Sequence, residues 1–308
     1  MPKKTMPFST IIVIEPDTTR RLNLSKVLKN QGLALVACDN AETAKAEIQR
    51  HGSVLVFIHK NLVEKKFLDW LSQQNAQLVV VSPSEITKDI DLFEPPLNQN
   101  QIIFYDRNNQ VLTDKLILTT AMKFTKNDYF GLSKYLNPRV IRRVDIDPTI
   151  HRNTYLDNLQ EFIKTIDIHS PFISSKAGLI CEELLSNAVY LSKDESSLTR
   201  HGSRIKAPIL TYGFEDGIFG LSVTDFYGTL ELSLIVRYLK KCFTDAKVSL
   251  SQNPLRGGLG FFEIVSSCDS FIVNASPGVK TELITLIDTK SPQKSLKNLY
   301  GFQFFTST

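Results

Sequence analysis

The chain has 308 residues, of which 42% are hydrophobic and 22% charged, and its formal net charge is +4. This length is enough for two hydrophobic cores, and the composition is that of a soluble globular protein. The lysines and arginines are dispersed and no apolar run is long enough to span a bilayer, so we expect neither nucleic-acid binding nor membrane insertion. Four cysteines without a CxxC pair predict reduced thiols and a cytoplasmic protein.

The first half of the chain alternates short apolar runs with helical patterns. The apolar runs predict five strands, over residues 9–14, 33–37, 54–58, 77–81 and 102–105. A helical pattern runs from Leu22 to Leu28, with Gly32 expected to end the helix, and a second pattern runs from Ala41 to Gln49. This alternation predicts a doubly wound α/β sheet whose functional edge lies at the carboxyl ends of the strands.

Polar side chains stand at the ends of three of these strands. Glu15, Pro16 and Asp17 follow the first strand, His59 follows the third, and Ser82 follows the fourth. With this arrangement, residues 1–125 resemble the receiver domain of two-component response regulators, which implies a flavodoxin-like fold. In that family an acidic pair after the first strand holds Mg²⁺, the third strand ends in a phosphorylated aspartate, and a hydroxyl residue follows the fourth.

The receiver-like pocket lacks the groups that phosphate transfer needs. Acyl-phosphate chemistry requires a carboxylate nucleophile beside a hard cation with oxygen ligands, whereas His59 offers nitrogen and Pro16 offers no ligand. The sequence therefore predicts a pseudo-receiver that serves as a docking or dimerisation module, with a homodimer as one option. The alternative is that His59 itself carries phosphate or binds a metal.

The second half begins after a predicted junction over residues 126–150. Helices are predicted from Tyr155 to Ile166 and from about Ser174 to Val189. Glu183 and Asn187 lie four residues apart in the second helix and therefore on one face. A carboxylate there can deprotonate a hydroxyl nucleophile, and an asparagine oxygen one turn later can bind Mg²⁺.

A hairpin is predicted next, from strands over residues 210–214 and 219–224 joined by the Glu-Asp-Gly turn signal at 215–217. The second strand ends on Asp225, whose carboxylate can accept a hydrogen bond from an exocyclic amine such as that of adenine. Gly228 permits a sharp turn of the backbone just past this residue.

A glycine-rich segment follows a helical pattern that runs from Leu230 to Phe243. Gly257, Gly258 and Gly260 allow the main chain to approach phosphate oxygens and begin a helix whose positive end would face them. Thr281 then begins a further apolar strand.

In this order, the segments over residues 151–290 resemble the ATP-binding domain of the GHKL family of gyrase and histidine kinases, with the anti-sigma-factor serine kinases as the closest type. The resemblance implies a two-layer α/β sandwich (the Bergerat fold) with ATP and Mg²⁺ as cofactors. The implied roles are Glu183 as the catalytic base, Asn187 as the Mg²⁺ ligand, Asp225, Gly228 and Thr281 around the adenine, and Gly258 and Gly260 at the phosphates.

Two residues depart from the family pattern, because Tyr227 and Thr229 stand where the first glycine box has glycines. A tyrosine at the first of these positions is expected to narrow the adenine slot. The resemblance implies a signal-transduction protein that binds Mg·ATP and phosphorylates a serine or threonine of a partner protein. The alternative is a non-enzymatic adaptor that keeps the fold, binds no nucleotide and acts by protein contact. The aromatic tail over residues 291–308 is expected to fold back over its own domain.

Overall fold

The structure is a computed structural model, and it describes residues 8–29, 34–83, 88–93, 97, 99–105, 110–147, 149–166, 171–190, 206–244, 259–290 and 299–307. The chain divides into two compact units. The first unit comprises residues 1–129 and 300–303, and the second comprises residues 130–299 and 304–308.

The first unit is a parallel sheet with helices between its strands. Its strands follow the order β2-β1-β3-β4-β5, which confirms the predicted flavodoxin-like α/β fold. Because crossovers between parallel strands are right-handed, the reversal of direction after β2 places α1 and α2 on opposite faces. The elements are β1 (Thr10–Ile14), α1 (Thr18–Lys29), β2 (Ala34–Cys38), α2 (Ala41–His51), β3 (Ser53–His59), α3 (Lys65–Leu71), β4 (Asn75–Ser82), β5 (Gln101–Phe104) and α4 (Gln110–Lys126).

The second unit is an antiparallel sheet with helices packed on it. Its strands follow the order β6-β7-β8-β10-β9. The elements are β6 (Ile141–Asp145), α5 (Arg152–Thr165), α6 (Pro171–Tyr190), β7 (Ile209–Glu215), β8 (Ile218–Asp225), α7 (Leu232–Thr244), α8 (Leu259–Ser267), β9 (Ser270–Ser276), β10 (Lys280–Asp288) and β11 (Gly301–Thr306), the last of which is divided between the two units.

Burial explains why these segments form strands and helices. All five residues of β1 are buried, as a central parallel strand requires. In α6, Ala177, Ile180, Leu184 and Ala188 are buried at helical spacing, and the helix packs on β8. The predicted hairpin between β7 and β8 is confirmed.

That hairpin turns on two residues with positive φ. Asp216 has φ 55° and Gly217 has φ 84°, the pattern of a type I′ turn. This turn matches the right-handed twist of the strands that it joins, which is why a short Asp-Gly sequence is sufficient here.

Elements without a counterpart among the predictions include α3, β6, β9 and β11. Strand β6 lies within the segment predicted as a junction, and its exposed Arg142 and Arg143 obscure the apolar pattern. In β9 the polar Ser270 and Asn274 are fully buried and interrupt the apolar run. Each of these strands is stable because it has hydrogen-bonded neighbours, which the local sequence does not reveal.

Within the aromatic tail, residues 301–306 form a strand, β11, and the preceding residues 291–298 lie outside the described part of the chain. In the first unit, residues 301–303 pair antiparallel with β5, and the Gln303 side chain hydrogen-bonds to the Thr120 hydroxyl. In the second unit, the Ser307 N–H donates to the Ala275 carbonyl at 2.8 Å. The tail therefore contributes buried residues to both units, which corrects the expectation that it folds back over one domain.

Candidate functional site

The receiver-like pocket of the first unit begins at the end of β1. Glu15 is 1% exposed, and its Oε1 accepts hydrogen bonds from the Asp17 N–H at 2.9 Å and from Arg20 Nη2 at 3.1 Å. Arg20 thus supplies a positive charge to this carboxylate. The Asp17 carboxylate accepts from the Arg20 N–H at 2.8 Å in the first turn of α1.

His59 lies at the end of β3 and is 5% exposed. Its Nδ1 accepts a hydrogen bond from the Asn61 N–H at 3.3 Å, and its Nε2 is buried without a hydrogen-bond partner among the described residues. Burial is the largest effect and lowers the pKa of His59. The Arg20 and Lys60 cations also lower this pKa, and the Glu15 and Asp89 carboxylates raise it. The neutral imidazole is therefore favoured, with its Nε2 enclosed.

Ser82 ends β4 and donates a hydrogen bond to the buried carboxylate of Asp89. Lys60 forms an ion pair with the same carboxylate. Arg20, Lys60 and Asp89 were missed in the sequence. Lys60 directly follows a strand end, which is a usable signal, whereas Asp89 directly precedes a short 3-10 helix, Ile90–Phe93, that was not predicted.

Three of the four predicted pocket residues stand at the ends of neighbouring strands. Glu15 directly follows β1, and His59 and Ser82 are the last residues of β3 and β4. These strands are adjacent in the sheet, whereas Asp17 lies in the loop that precedes α1. The two carboxylates Glu15 and Asp89 are each paired with a cation of the protein itself. The pocket is thus a set of internal ion pairs around an enclosed histidine.

In the second unit, α6 carries the predicted base and the predicted Mg²⁺ ligand. Glu183 and Asn187 are both half-buried and one turn apart. The Glu183 carboxylate lies against Gly260 in the first turn of α8, where a methyl group on the glycine would overlap Oε2. The fold therefore brings Glu183 to the start of the helix that follows the glycine-rich segment, although the two residues are 77 positions apart.

Asp225 is the last residue of β8, and its carboxylate is held by main-chain donors. Oδ1 accepts from the Tyr227 N–H at 2.9 Å and from the Gly228 N–H at 3.4 Å. Burial raises the pKa of Asp225, and hydrogen bonds from the Tyr227, Gly228 and Thr281 main chain lower it in part. The carboxylate has a fixed orientation, and its negative charge is poorly solvated.

Thr281 is the residue directly opposite Asp225 in the pairing of β10 with β8. The residue is 2% exposed, and its Oγ1 is buried with no hydrogen-bond partner among the described residues. A buried hydroxyl without a partner costs free energy, on the order of 1 to 3 kcal/mol. This hydroxyl and the adjacent carboxylate are therefore suited to a polar ligand or an ordered water.

Gly228 has φ 63°, and its Cα lies against the backbone of the β9–β10 turn. The Gly278 N–H donates to the Gly228 carbonyl at 3.0 Å, and a methyl group on Gly228 would overlap the Ser276 carbonyl oxygen. The glycine is thus required by protein packing. Of the two departures from the family pattern, Tyr227 is half-buried and Thr229 is exposed.

Part of the predicted site lies outside the described residues. Gly257 and Gly258 belong to residues 245–258, which are not described. Among the residues that the structure describes, no group of three or more His, Cys, Asp or Glu side chains is arranged to hold a metal ion. Within the same residues, no helix is both long enough and apolar enough to cross a membrane.

No protein-family model matches the chain, and no curated protein matches it. Solved structures with some similarity include the SiaB–SiaC complex from Pseudomonas aeruginosa, at 14% identity over 48% of this chain and 89% of that one, with a TM-score of 0.34. The complex of the Saccharomyces cerevisiae phosphotransfer protein Ypd1 with the receiver domain of the response regulator Ssk1 matches at 14% identity over 44% of this chain and 97% of that one, with a TM-score of 0.30.

The Legionella pneumophila response regulator LqsR matches over both units. It is 11% identical over 92% of this chain and 88% of its own, with a TM-score of 0.30. At these identities and TM-scores, the similarity assigns no function to this chain.

Proposed function

We propose that the second unit is a GHKL-type module that binds Mg·ATP and transfers the γ-phosphoryl group to a serine or threonine of a partner protein in a signalling pathway. Glu183 is the base, Asn187 is the Mg²⁺ ligand, and Asp225 with Thr281 reads the adenine. The first unit is a receiver-like module that docks or regulates and does not take phosphate itself.

The observation that carries the proposal is the pair formed by Asp225 and Thr281. A fixed carboxylate stands opposite a buried hydroxyl that has no hydrogen-bond partner within the described part of the chain, at a strand end. The carboxylate accepts from the exocyclic amine of adenine, and the hydroxyl gains the hydrogen bond that it lacks.

The phosphate end of the proposed site is formed by α6 and the start of α8. When bound, Mg·ATP supplies an electrophilic phosphorus and the ADP leaving group. Glu183 accepts the proton of the partner's hydroxyl as that oxygen bonds to phosphorus, and Gly260 leaves room for its carboxylate at the positive end of α8. Asn187, one turn further along α6, binds the metal through its amide oxygen.

The substitution Asn187→Ala tests nucleotide binding, because it removes the metal ligand without adding bulk. In calorimetry with Mg·ATP we expect the heat of binding to disappear. Asn153→Ala is the matched control, since it removes an exposed asparagine side chain from α5. Binding that is unchanged in Asn187→Ala would remove the catalytic interpretation.

The second candidate function is a non-enzymatic adaptor, and the surroundings of Gly228 favour it. The close approach that this glycine permits is made by the β9–β10 turn and not by a ligand, and the half-buried Tyr227 stands beside it. An equilibrium titration separates the two functions. If millimolar Mg·ATP produces neither heat nor a shift in melting temperature in the wild-type protein, the adaptor is favoured.

A further inference from the structure

Two side chains at the carboxyl edge of the first sheet bind one buried carboxylate of the chain itself. Ser82, the last residue of β4, donates to one oxygen of Asp89, and the Lys60 ammonium forms an ion pair with the other oxygen. The pairing of β3 with β4 places Lys60 and Ser82 next to each other, one position past the last matched pair. Asp89 is 3% exposed and Ser82 is fully buried. A hydroxyl and an ammonium that converge on one buried anionic group form an oxyanion-binding site.

His59 supplies a further donor at the same edge. Its Nδ1 accepts a hydrogen bond from the Asn61 N–H at 3.3 Å, so the proton of the neutral imidazole lies on Nε2. This Nε2–H group is buried and has no hydrogen-bond partner within the described part of the chain. In this form the ring offers a donor to an anion and no lone pair at Nε2 to a metal ion. The donors at this edge therefore suit an anion with more oxygen atoms than a carboxylate, and phosphate is such an anion.

Asp89 is held at this site by the short 3-10 helix that follows it. The Leu92 N–H donates to the Asp89 carbonyl at 3.0 Å, and Leu92 and Phe93 are buried. The Phe93 ring also contacts the Phe302 ring of β11, with centroids 5.2 Å apart. A carboxylate that is tethered in this way has a high effective concentration at the site. A free anion in solution therefore competes poorly with it.

We propose that Lys60 and Ser82 form a binding site for a tetrahedral oxyanion such as phosphate, and that Asp89 is an internal ligand that keeps this site occupied. The carboxylate is thus an autoinhibitory contact, because a free oxyanion can bind only when Asp89 leaves. The inference concerns reversible binding without any bond to phosphorus, and it does not depend on nucleotide binding by the second unit. It agrees with a first unit that takes no phosphate itself.

The substitution Asp89→Ala in the full chain tests the proposal, with inorganic phosphate as the probe. It removes the internal ligand and leaves both donors in place, so we expect saturable binding of millimolar phosphate in calorimetry and a higher melting temperature. The wild type should show neither beyond the general stabilisation that phosphate gives to folded proteins. Asp91→Ala is the matched control, because it removes an exposed aspartate from the same 3-10 helix and should behave as the wild type. Any phosphate bound by the second unit is common to all three proteins and cancels in the comparison.

The donors are tested in the Asp89→Ala background. Adding Lys60→Met or Ser82→Ala should weaken phosphate binding by about tenfold or more, since each removes a hydrogen bond to a charged group. If Asp89→Ala folds only partly, the recovery of folded protein with increasing phosphate, followed by circular dichroism, measures the same binding. An Asp89→Ala chain that neither binds phosphate nor is stabilised by it more than Asp91→Ala would overturn the proposal. Phosphate binding that survives both second substitutions, or wild-type binding that Lys60→Met abolishes, would overturn it too.

Discussion

At the scale of single residues, Asp225 illustrates how a proposed binding role conflicts with stability. Its main-chain hydrogen bonds orient the carboxylate, yet burial still raises its pKa above the ordinary value for aspartate. The folded protein then holds this proton more tightly than the unfolded chain does. Stability from this group is present at low pH and is lost as the pH rises from the ordinary to the raised pKa.

We therefore expect Asp225→Asn to be more stable than the wild type at neutral pH, with a difference that disappears at acidic pH. Thermal melts across the acidic range, without nucleotide, measure this difference. Asp216→Asn is the control, because Asp216 is exposed and its positive φ suits asparagine equally well. The same variant at 225 should lose Mg·ATP binding in calorimetry, and a destabilised Asp225→Asn would contradict the pKa argument.

At the scale of elements, the β9–β10 turn and the loop after β8 depend on two glycines with nearly the same φ. Gly228 (φ 63°) is enclosed by backbone, whereas Gly278 (φ 71°) has open space where a side chain would start. Substitutions at the two positions therefore distinguish two contributions to the loss of stability. One is the strain of a positive φ, and the other is the overlap of an added methyl group with neighbouring backbone atoms.

For Gly278→Ala we expect a loss of about 1 to 2 kcal/mol in the free energy of unfolding, from backbone strain alone. Gly228→Ala should lose more, by about 1 to 3 kcal/mol in addition, because the methyl group must displace backbone atoms. Urea denaturation of the two variants compares the losses directly. Equal losses would show that the loop after β8 relaxes freely away from the turn.

At the scale of the whole molecule, strand β11 supplies buried aromatic side chains to each of the two units. Phe302 is fully buried in the first unit against Phe93, with ring centroids 5.2 Å apart, and Phe304 and Phe305 are buried in the second. Residues 302–305 therefore place aromatic side chains in the hydrophobic core of each unit.

Phe302→Ala should lower the free energy of unfolding by about 3 to 5 kcal/mol, because a large side chain leaves a cavity in the core. Thr306→Ala is the matched control in the same strand, since Thr306 is exposed and should change stability little. Chemical denaturation followed by far-UV circular dichroism measures both variants. A small effect of Phe302→Ala would show that the strand is dispensable for the first unit.

The sequence by itself determined the alternation of strands and helices in the first unit, the positions of Glu15, His59 and Ser82 at strand ends, and the shared face of Glu183 and Asn187. These features follow from local periodicity, which burial enforces over a few residues. The assignment of nucleotide and metal roles stays a prediction.

Tertiary structure alone decided the pairing of Arg20 with Glu15 and of Lys60 with Asp89, the approach of Glu183 to Gly260, and the formation of β11 by residues 301–306. Each of these contacts joins residues that helix or strand periodicity does not bring together. In several of them the two residues are tens to hundreds of positions apart in the sequence. Hydrogen bonds and ion pairs between distant side chains leave no periodic trace in the sequence, because their energy depends on which elements the fold brings together.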